Sequence, residues 1–318
     1  MMVIKRWFAL ALCLCLLSGA CGGLAETPTG QETHPDKDNS GGIAYTWGDD
    51  HSIFSIEGSL TDDSQANPLA YIRRDAGLLS IFHTVGCIGD SLASGEAVYK
   101  ENGETHYIDL YDYSWGQCLA RMTGNTYYNF SKGGISSRSW LAEEAGSGFG
   151  PNGIHAFDGQ HDCDAYFIGL GQNDKEKDIP IGTTADIDLS DYTQNADTYC
   201  GNMGRIIQML REYQPKAPIF VFIDPNPPRG DQSYNAVIPD IVAPFTNVWI
   251  IDLKTYAEQM FKDSNQIIGS QVRVGHYSAL GYQEIAYVIA TYVDWIIRHN
   301  LSAFSQVEFI GTDYEWTD

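Results

Sequence analysis

The sequence predicts an α/β fold of three layers, α/β/α, around a central five-stranded parallel sheet. From about residue 79, short apolar runs rich in β-formers alternate with longer stretches of helical period, the pattern of a parallel sheet with helical crossovers. The runs are almost continuously apolar, as strands covered on both faces must be. No repeat with a period of 20 to 50 residues competes with that reading.

The five strands are expected at 81–88, 126–130, 165–170, 218–223 and 248–253. Three helices carry clear signals. The first starts at Ser114, with Gln117 three residues on as a capping box, and stops at Gly124. The second spans 192–213 and ends before Pro215, with Met203, Ile206, Ile207 and Leu210 on one stripe. The last runs from an N-cap at Ser278 to His299, with a stripe of Ile285, Ile289, Tyr292, Val293 and Ile296.

The 318 residues are 43% hydrophobic, enough for a large core, and carry a formal charge of -22 from 41 acidic and 19 basic side chains. Such a chain repels phosphate backbones, so nucleic acid is excluded as a partner. Lys5 and Arg6 precede an apolar run at 7–17 that is too short to span a bilayer and reads as an export signal. Leu17-Ser18-Gly19-Ala20-Cys21 resembles a bacterial lipoprotein signal, with Ser18 where an aliphatic residue usually stands. Cys21 would then carry a lipid anchor, the one membrane attachment expected; cleavage after Ala25 is the alternative. The expected division is export signal 1–25, flexible linker 26–43, N-terminal extension 44–78 and α/β domain 79–318. Within the linker, Asp36, Asp38, Ser40 and Gly41 imitate a calcium loop, but its twelfth position is Trp47 where Glu is required. Cys87, Cys118, Cys163 and Cys200 lack zinc-site spacing and read as buried thiols with at most one disulfide among them. His155, His161, Asp162, Cys163 and Asp164 offer metal-ligand types without a metal-binding spacing and read as a solvated loop. Neither a metal nor a cofactor is expected.

In an open parallel sheet, ligands bind beyond the carboxyl ends of the strands. Gly89-Asp90-Ser91-Leu92 follows the first strand, the segment from Asn129 to Gly134 ends the second, and Gly171-Gln172-Asn173-Asp174 follows the third. Gly275-His276-Tyr277-Ser278 comes after the fifth. These blocks contain a hydroxyl to attack, an imidazole to take its proton, and donors for a developing oxyanion, the requirements of acyl transfer.

Four blocks in this order resemble the SGNH or GDSL hydrolase family: GDSL at 89–92, Asn129 with Gly134, GQND at 171–174, and GHYSALGY at 275–282. The resemblance spans roughly residues 79–300 and implies a flavodoxin-like SGNH fold. It implies Ser91 as nucleophile, His276 as general base, and the Gly134 amide and the Asn173 side chain as oxyanion donors beside the Ser91 amide. The family's acid three positions before the histidine is replaced by Arg273. Three readings stay open: a main-chain carbonyl orients His276, a displaced carboxylate does so with Asp252 first among candidates, or the scaffold is a surface binding protein without chemistry. The expected function is a secreted or surface-anchored serine esterase acting on short-chain, acetyl esters of a small molecule or glycan. A lipase or thioesterase of the same family is the alternative enzyme.

Overall fold

The structure, a computed structural model, describes residues 66–142, 162–225 and 231–317. All of them belong to a unit spanning Gly58–Asp318; the other unit, Met1–Glu57, lies outside the described residues. The export signal, the linker with its calcium-like sequence, His155 and His161 therefore also lie outside them.

Among the described residues nine strands follow in chain order: β1 (Thr84–Gly89), β2 (Glu96–Glu101), β3 (Glu104–Asp109), β4 (Thr126–Ser131), β5 (Ala165–Gly169), β6 (Ile219–Ile223), β7 (Val248–Asp252), β8 (Val272–Arg273) and β9 (His276–Tyr277). Strands β4-β1-β5-β6-β7, in that spatial order, form one five-stranded sheet, and every pairing in it is parallel. The helices are α1 (Trp115–Thr123), α2 (Ser137–Leu141), α3 (Gln172–Glu176), α4 (Tyr199–Tyr213), α5 (Ser233–Ala236), α6 (Ile238–Val242), α7 (Leu253–Lys262), α8 (Ile267–Ser270) and α9 (Ala279–His299).

Alternation of side chains along each strand sends residues to two separate cores. Val85, Cys87, Phe167, Phe220 and Ile251 join α1, α7 and α9 on one face. Ile88, Tyr166, Ile168, Ile219 and Val221 join α2, α4 and α6 on the other. The expected α/β/α architecture with five parallel strands is thus what the chain adopts.

Three boundaries differ from the sequence reading. β1 starts at Thr84 because Gly77–Ile81 forms a 3₁₀ turn, entered at Gly77 with φ 51°. The helix expected from residue 192 begins at Tyr199, where the Thr198 side chain accepts from the Gly201 amide at 3.1 Å. At α1, Ser114 caps the Gln117 amide at 3.1 Å, but the Gln117 side chain donates to the Tyr127 carbonyl, so the reciprocal half of the capping box is not made. The antiparallel pair β2–β3 was not foreseen. All four described cysteines are buried and form no disulfide with one another.

The segment before β1 is pinned to α9. The Arg73 amide donates to Thr291 Oγ1 at 2.9 Å and the Leu78 amide to Asp294 Oδ1 at 2.8 Å. Asp294, 2% exposed, also accepts from Arg298 Nε at 2.9 Å. After α9, Phe304 is buried against the rings of Phe82, Phe220 and Trp249. Removing one member of a buried ion pair strands the other without compensation. Asp294→Ala should therefore lower unfolding free energy by about 3–5 kcal/mol in urea titrations; a loss below about 1 kcal/mol would show that the pair is not holding the segment.

Candidate active site

Strand β1 lies between β4 and β5, so three of the four sequence blocks leave the sheet side by side. Gly89 is in register with Ser131 on β4 and Gly169 on β5. A side chain at Gly89 would bring a Cβ within 2.6 Å of the Ala93 Cβ and 2.9 Å of the Gly169 carbonyl, so the turn carrying Ser91 closes only over glycine. The strand order reverses at the β1–β5 boundary, the place where flavodoxin-like sheets bind their ligands.

Residues 90–94 make one helical turn rather than a helix. The Ala93 and Ser94 amides donate to the Asp90 carbonyl at 3.1 and 2.9 Å, and the Leu92 amide donates to Asp90 Oδ1 at 3.0 Å. Neither the amide nor the hydroxyl of Ser91 makes a hydrogen bond among the described residues, while its carbonyl accepts from the Glu96 amide at 3.0 Å.

Gly134 adopts φ 75° and is exposed, and its amide likewise has no partner among the described residues. Asn173, in the first turn of α3, donates one Nδ2 hydrogen to the Ile135 carbonyl at 3.0 Å, which places its amide group against the Gly134–Ile135 backbone. The other Nδ2 hydrogen stays available. Buried Asp174 fixes this arrangement, accepting from the Ser137 amide at 3.0 Å and from the Ser137 hydroxyl. Burial raises the Asp174 carboxyl above its ordinary range.

His276 opens β9, directly after a two-residue hairpin turn at Val274 and Gly275 with φ 52° and 83°. Both central residues are left-handed, as a type I′ turn requires, and for β-branched Val274 that conformation is strained. The turn aims the Val274 carbonyl at His276 Nδ1, 3.2 Å away. Asp252, the favoured displaced carboxylate, instead caps α7 by accepting from the Thr255 amide at 2.8 Å and makes no contact with the imidazole. It sits one residue before the helix, where a capping side chain is consumed by the backbone. Arg273 is exposed on β8. The carbonyl contact is therefore present, and Asp252 is not the carboxylate that meets the ring.

Sequence reasoning missed Glu96. Its Oε1 lies 2.9 Å from His276 Nε2, and a side chain at Gly133 would run into the same carboxylate. Tyr107 stands edge-on to the imidazole with ring centroids 5.5 Å apart. Both residues come from the β2–β3 hairpin, whose turn is Asn102-Gly103 with φ 50° and 86°. Asn-Gly was the available signal. Burial lowers the His276 pKa, but the Glu96 hydrogen bond and charge, the Val274 carbonyl and the Asp90 charge raise it, and the net shift is upward.

Matching residues 87–284, the model of the GDSL-like lipase/acylhydrolase family covers more than half of the sequence. The chain belongs to that family. It is accordingly an ester-hydrolysing enzyme, and the GDSL hydrolase has the fold this membership implies. Among solved structures, a Bacteroides ovatus protein assigned to the GDSL-like lipases is 16% identical, covering 66% of this chain and 97% of its own, with TM-score 0.47. A family 3 carbohydrate esterase of Clostridium thermocellum is 19% identical over 68% of this chain and 96% of its own, with TM-score 0.44. A family two carbohydrate esterase of the same organism, at 16% identity, covers 69% of this chain and 64% of its own, with TM-score 0.44. No curated protein matches in sequence.

Next to this rim of the GDSL hydrolase lies a cavity of about 80 Å³, lined by Leu92, Ala93, Trp115, Phe222, Ile285 and Ile289 among others, with Asp90 also reaching it. Asp90 is 2% exposed, and burial raises its carboxyl to about 7. In the unfolded chain the same group ionises near its ordinary value of 3.8. Between those values the unfolded state has released a proton that the folded state keeps, so folding weakens as pH rises from about 4 to 7 and levels off above. Asp90→Asn, which keeps the oxygen for the Leu92 amide, should gain stability over the parent through that interval and match it below pH about 4, as denaturant melts would show. A stability difference independent of pH would contradict the buried acid.

Proposed function

We propose that this GDSL hydrolase is an exported serine esterase that removes short acyl groups, acetyl foremost, from carbohydrate, with Ser91 as nucleophile and His276 as base. The observation carrying the reading is the commitment of His276 Nδ1 to the Val274 carbonyl at 3.2 Å, on the rim where Ser91 leaves the sheet. That bond keeps a proton on Nδ1 and leaves Nε2, which Glu96 meets at 2.9 Å, as the nitrogen that acts as base.

In the proposed reaction Ser91 Oγ attacks the ester carbonyl carbon while Nε2 takes the hydroxyl proton. The carbonyl oxygen becomes an oxyanion facing the Ser91 and Gly134 amides and the Asn173 side chain, none of which must surrender an existing bond to receive it. The imidazolium then protonates the leaving alcohol, and a water deprotonated by Nε2 releases the acid from the acyl-enzyme.

Carbohydrate is favoured by half-exposed tyrosines near the site. Tyr99 and Tyr107 on the hairpin are 46% and 50% exposed, and Tyr113 beyond it is 53% exposed; rings of this kind offer flat faces with a polar edge to sugars. Export rests on Lys5, Arg6 and the apolar run at 7–17, with either free secretion or a Cys21 anchor at its end. A second reading, a longer-chain lipase, draws on the apolar cavity. At roughly 10–15 Å³ for one water-sized probe, about 80 Å³ holds more than a methyl group.

Hydrolysis of p-nitrophenyl acetate, butyrate and hexanoate separates these readings. The acetyl-esterase reading requires kcat/KM to fall with chain length, and a rise would transfer the enzyme to the lipases. Ser91→Ala should reduce kcat by at least about 10³ and Asn173→Ala by about 10²–10³. Equal rates in parent and Ser91→Ala would end the assignment of the nucleophile.

A further inference from the structure

Glu96 stands where the reaction needs open space. With Nδ1 held by the Val274 carbonyl, Nε2 is the nitrogen that has to face Ser91 Oγ and then the leaving oxygen, and it is Nε2 that the Glu96 carboxylate meets at 2.9 Å. Both ring nitrogens therefore face acceptors, which only an imidazolium can satisfy. That pairing favours the protonated imidazole, in which Nε2 cannot accept a proton.

The contact is built into the fold. The Glu96 backbone is anchored at both ends of its peptide groups, by its amide on the Ser91 carbonyl at 3.0 Å and by Tyr282 Oη on its carbonyl at 3.0 Å. Only the side chain can swing. Its side chain is 13% exposed, so the carboxylate is largely shielded from water where it meets the ring. The Gly133 amide beside it already donates to both oxygens of Asp109, at 3.1 and 3.2 Å. The Ser91 and Gly134 amides are reserved for the ester carbonyl once substrate is bound.

We propose that Glu96 is a specificity residue: displaced from His276 by the bound ester, its carboxylate accepts a hydrogen bond from a free hydroxyl adjacent to the scissile oxygen, so the enzyme selects esters of polyhydroxyl alcohols. This rests on the reading of Ser91 and His276 as nucleophile and base. On displacement, Nε2 gives its proton to water and becomes available to the serine. A sugar or other polyol supplies the donor that the protein does not. A simple alkyl ester leaves a buried carboxylate unpaired, and a leaving group with its own anion adds repulsion. Tyr107, edge-on to His276 and half exposed, borders the same space with a face for a sugar ring.

The groups that face His276 are Glu96 from β2, Asp90 from the turn after β1, Tyr107 from β3 and the Val274 carbonyl. Glu96 and Asp90 carry the charge among them. Loss of the Glu96 charge removes one of the two contributions that favour the imidazolium electrostatically, so the acidic limb of the rate profile moves to lower pH.

The test measures kcat/KM for a methyl xyloside acetylated at one hydroxyl, with a free neighbouring hydroxyl, and for ethyl acetate, across pH 5–9, in the parent chain, Glu96→Ala and Glu96→Gln. The expected result is a parent preference for the xyloside of about tenfold or more that collapses in Glu96→Ala, while ethyl acetate hydrolysis at pH 6 rises. In parallel, NMR titration of the imidazole should give a lower His276 pKa in both variants than in the parent. An active parent whose preference and His276 titration ignore Glu96 overturns this inference alone, as does an equal loss on both substrates in both variants. A parent inert on both esters overturns the esterase reading and this inference with it.

Discussion

The site depends on the close approach of β1 to its neighbours at its carboxyl end. Gly89, in register with Gly169 and Ser131, lets the turn 90–94 fold back against β5 within a distance that no side chain permits. That closure sets Ser91 between the Gly134 loop and the Asn173 turn, and the Asp174–Ser137 bonds fasten the second of these to the first. Binding at the reversal of strand order is a general property of open parallel sheets; here the reversal places a hydroxyl, two unpaired amides and a carboxamide along one rim. The reacting groups need little reorganisation because their positions are set by strand pairing and buried hydrogen bonds rather than by long flexible side chains.

What the sequence made legible follows what burial imposes. The five sheet strands are covered on both faces, so their continuous apolar runs at Ala165–Gly169 or Ile219–Ile223 leave a strong mark, and α9 shows its stripe for the same reason. The β2–β3 hairpin buries little. Its residues run from half-buried to exposed, without the apolar continuity that identifies a strand, and only the Asn102-Gly103 turn betrays it. Glu96 was invisible for that reason, since nothing local in Gly95-Glu96-Ala97 announces a partner 180 residues away. The segments that carry Ser91, Gly134 and Asn173 stood out because each follows a strand whose own signal is strong, whereas His276 follows the two-residue β8 and was flagged beside the helix cap at Ser278. The carbonyl that meets His276 Nδ1 was one of three readings left open, since a main-chain carbonyl has no side-chain identity to single it out.

Replacing the family's usual acid by a carbonyl changes the electrostatics as well as the contact. A carboxylate on Nδ1 would both fix the tautomer and stabilise the imidazolium; a carbonyl dipole does the first fully and the second only in part. The strained Val274 conformation supports orientation, because a rigid turn holds the carbonyl at one angle to the ring. Charge stabilisation must come from elsewhere, and the acidic groups that act on the ring are Glu96 and Asp90. Their positions make them unequal. Glu96 meets Nε2 directly, whereas Asp90 holds the Leu92 amide within the turn after β1. Burial raises the Asp90 carboxyl to about 7, so its charge beside the imidazole is gained only as pH approaches neutrality. A carboxylate on Nδ1 would carry its charge at any pH above its own low pKa, so the support that Asp90 gives fails on acidification well before that of the usual acid would.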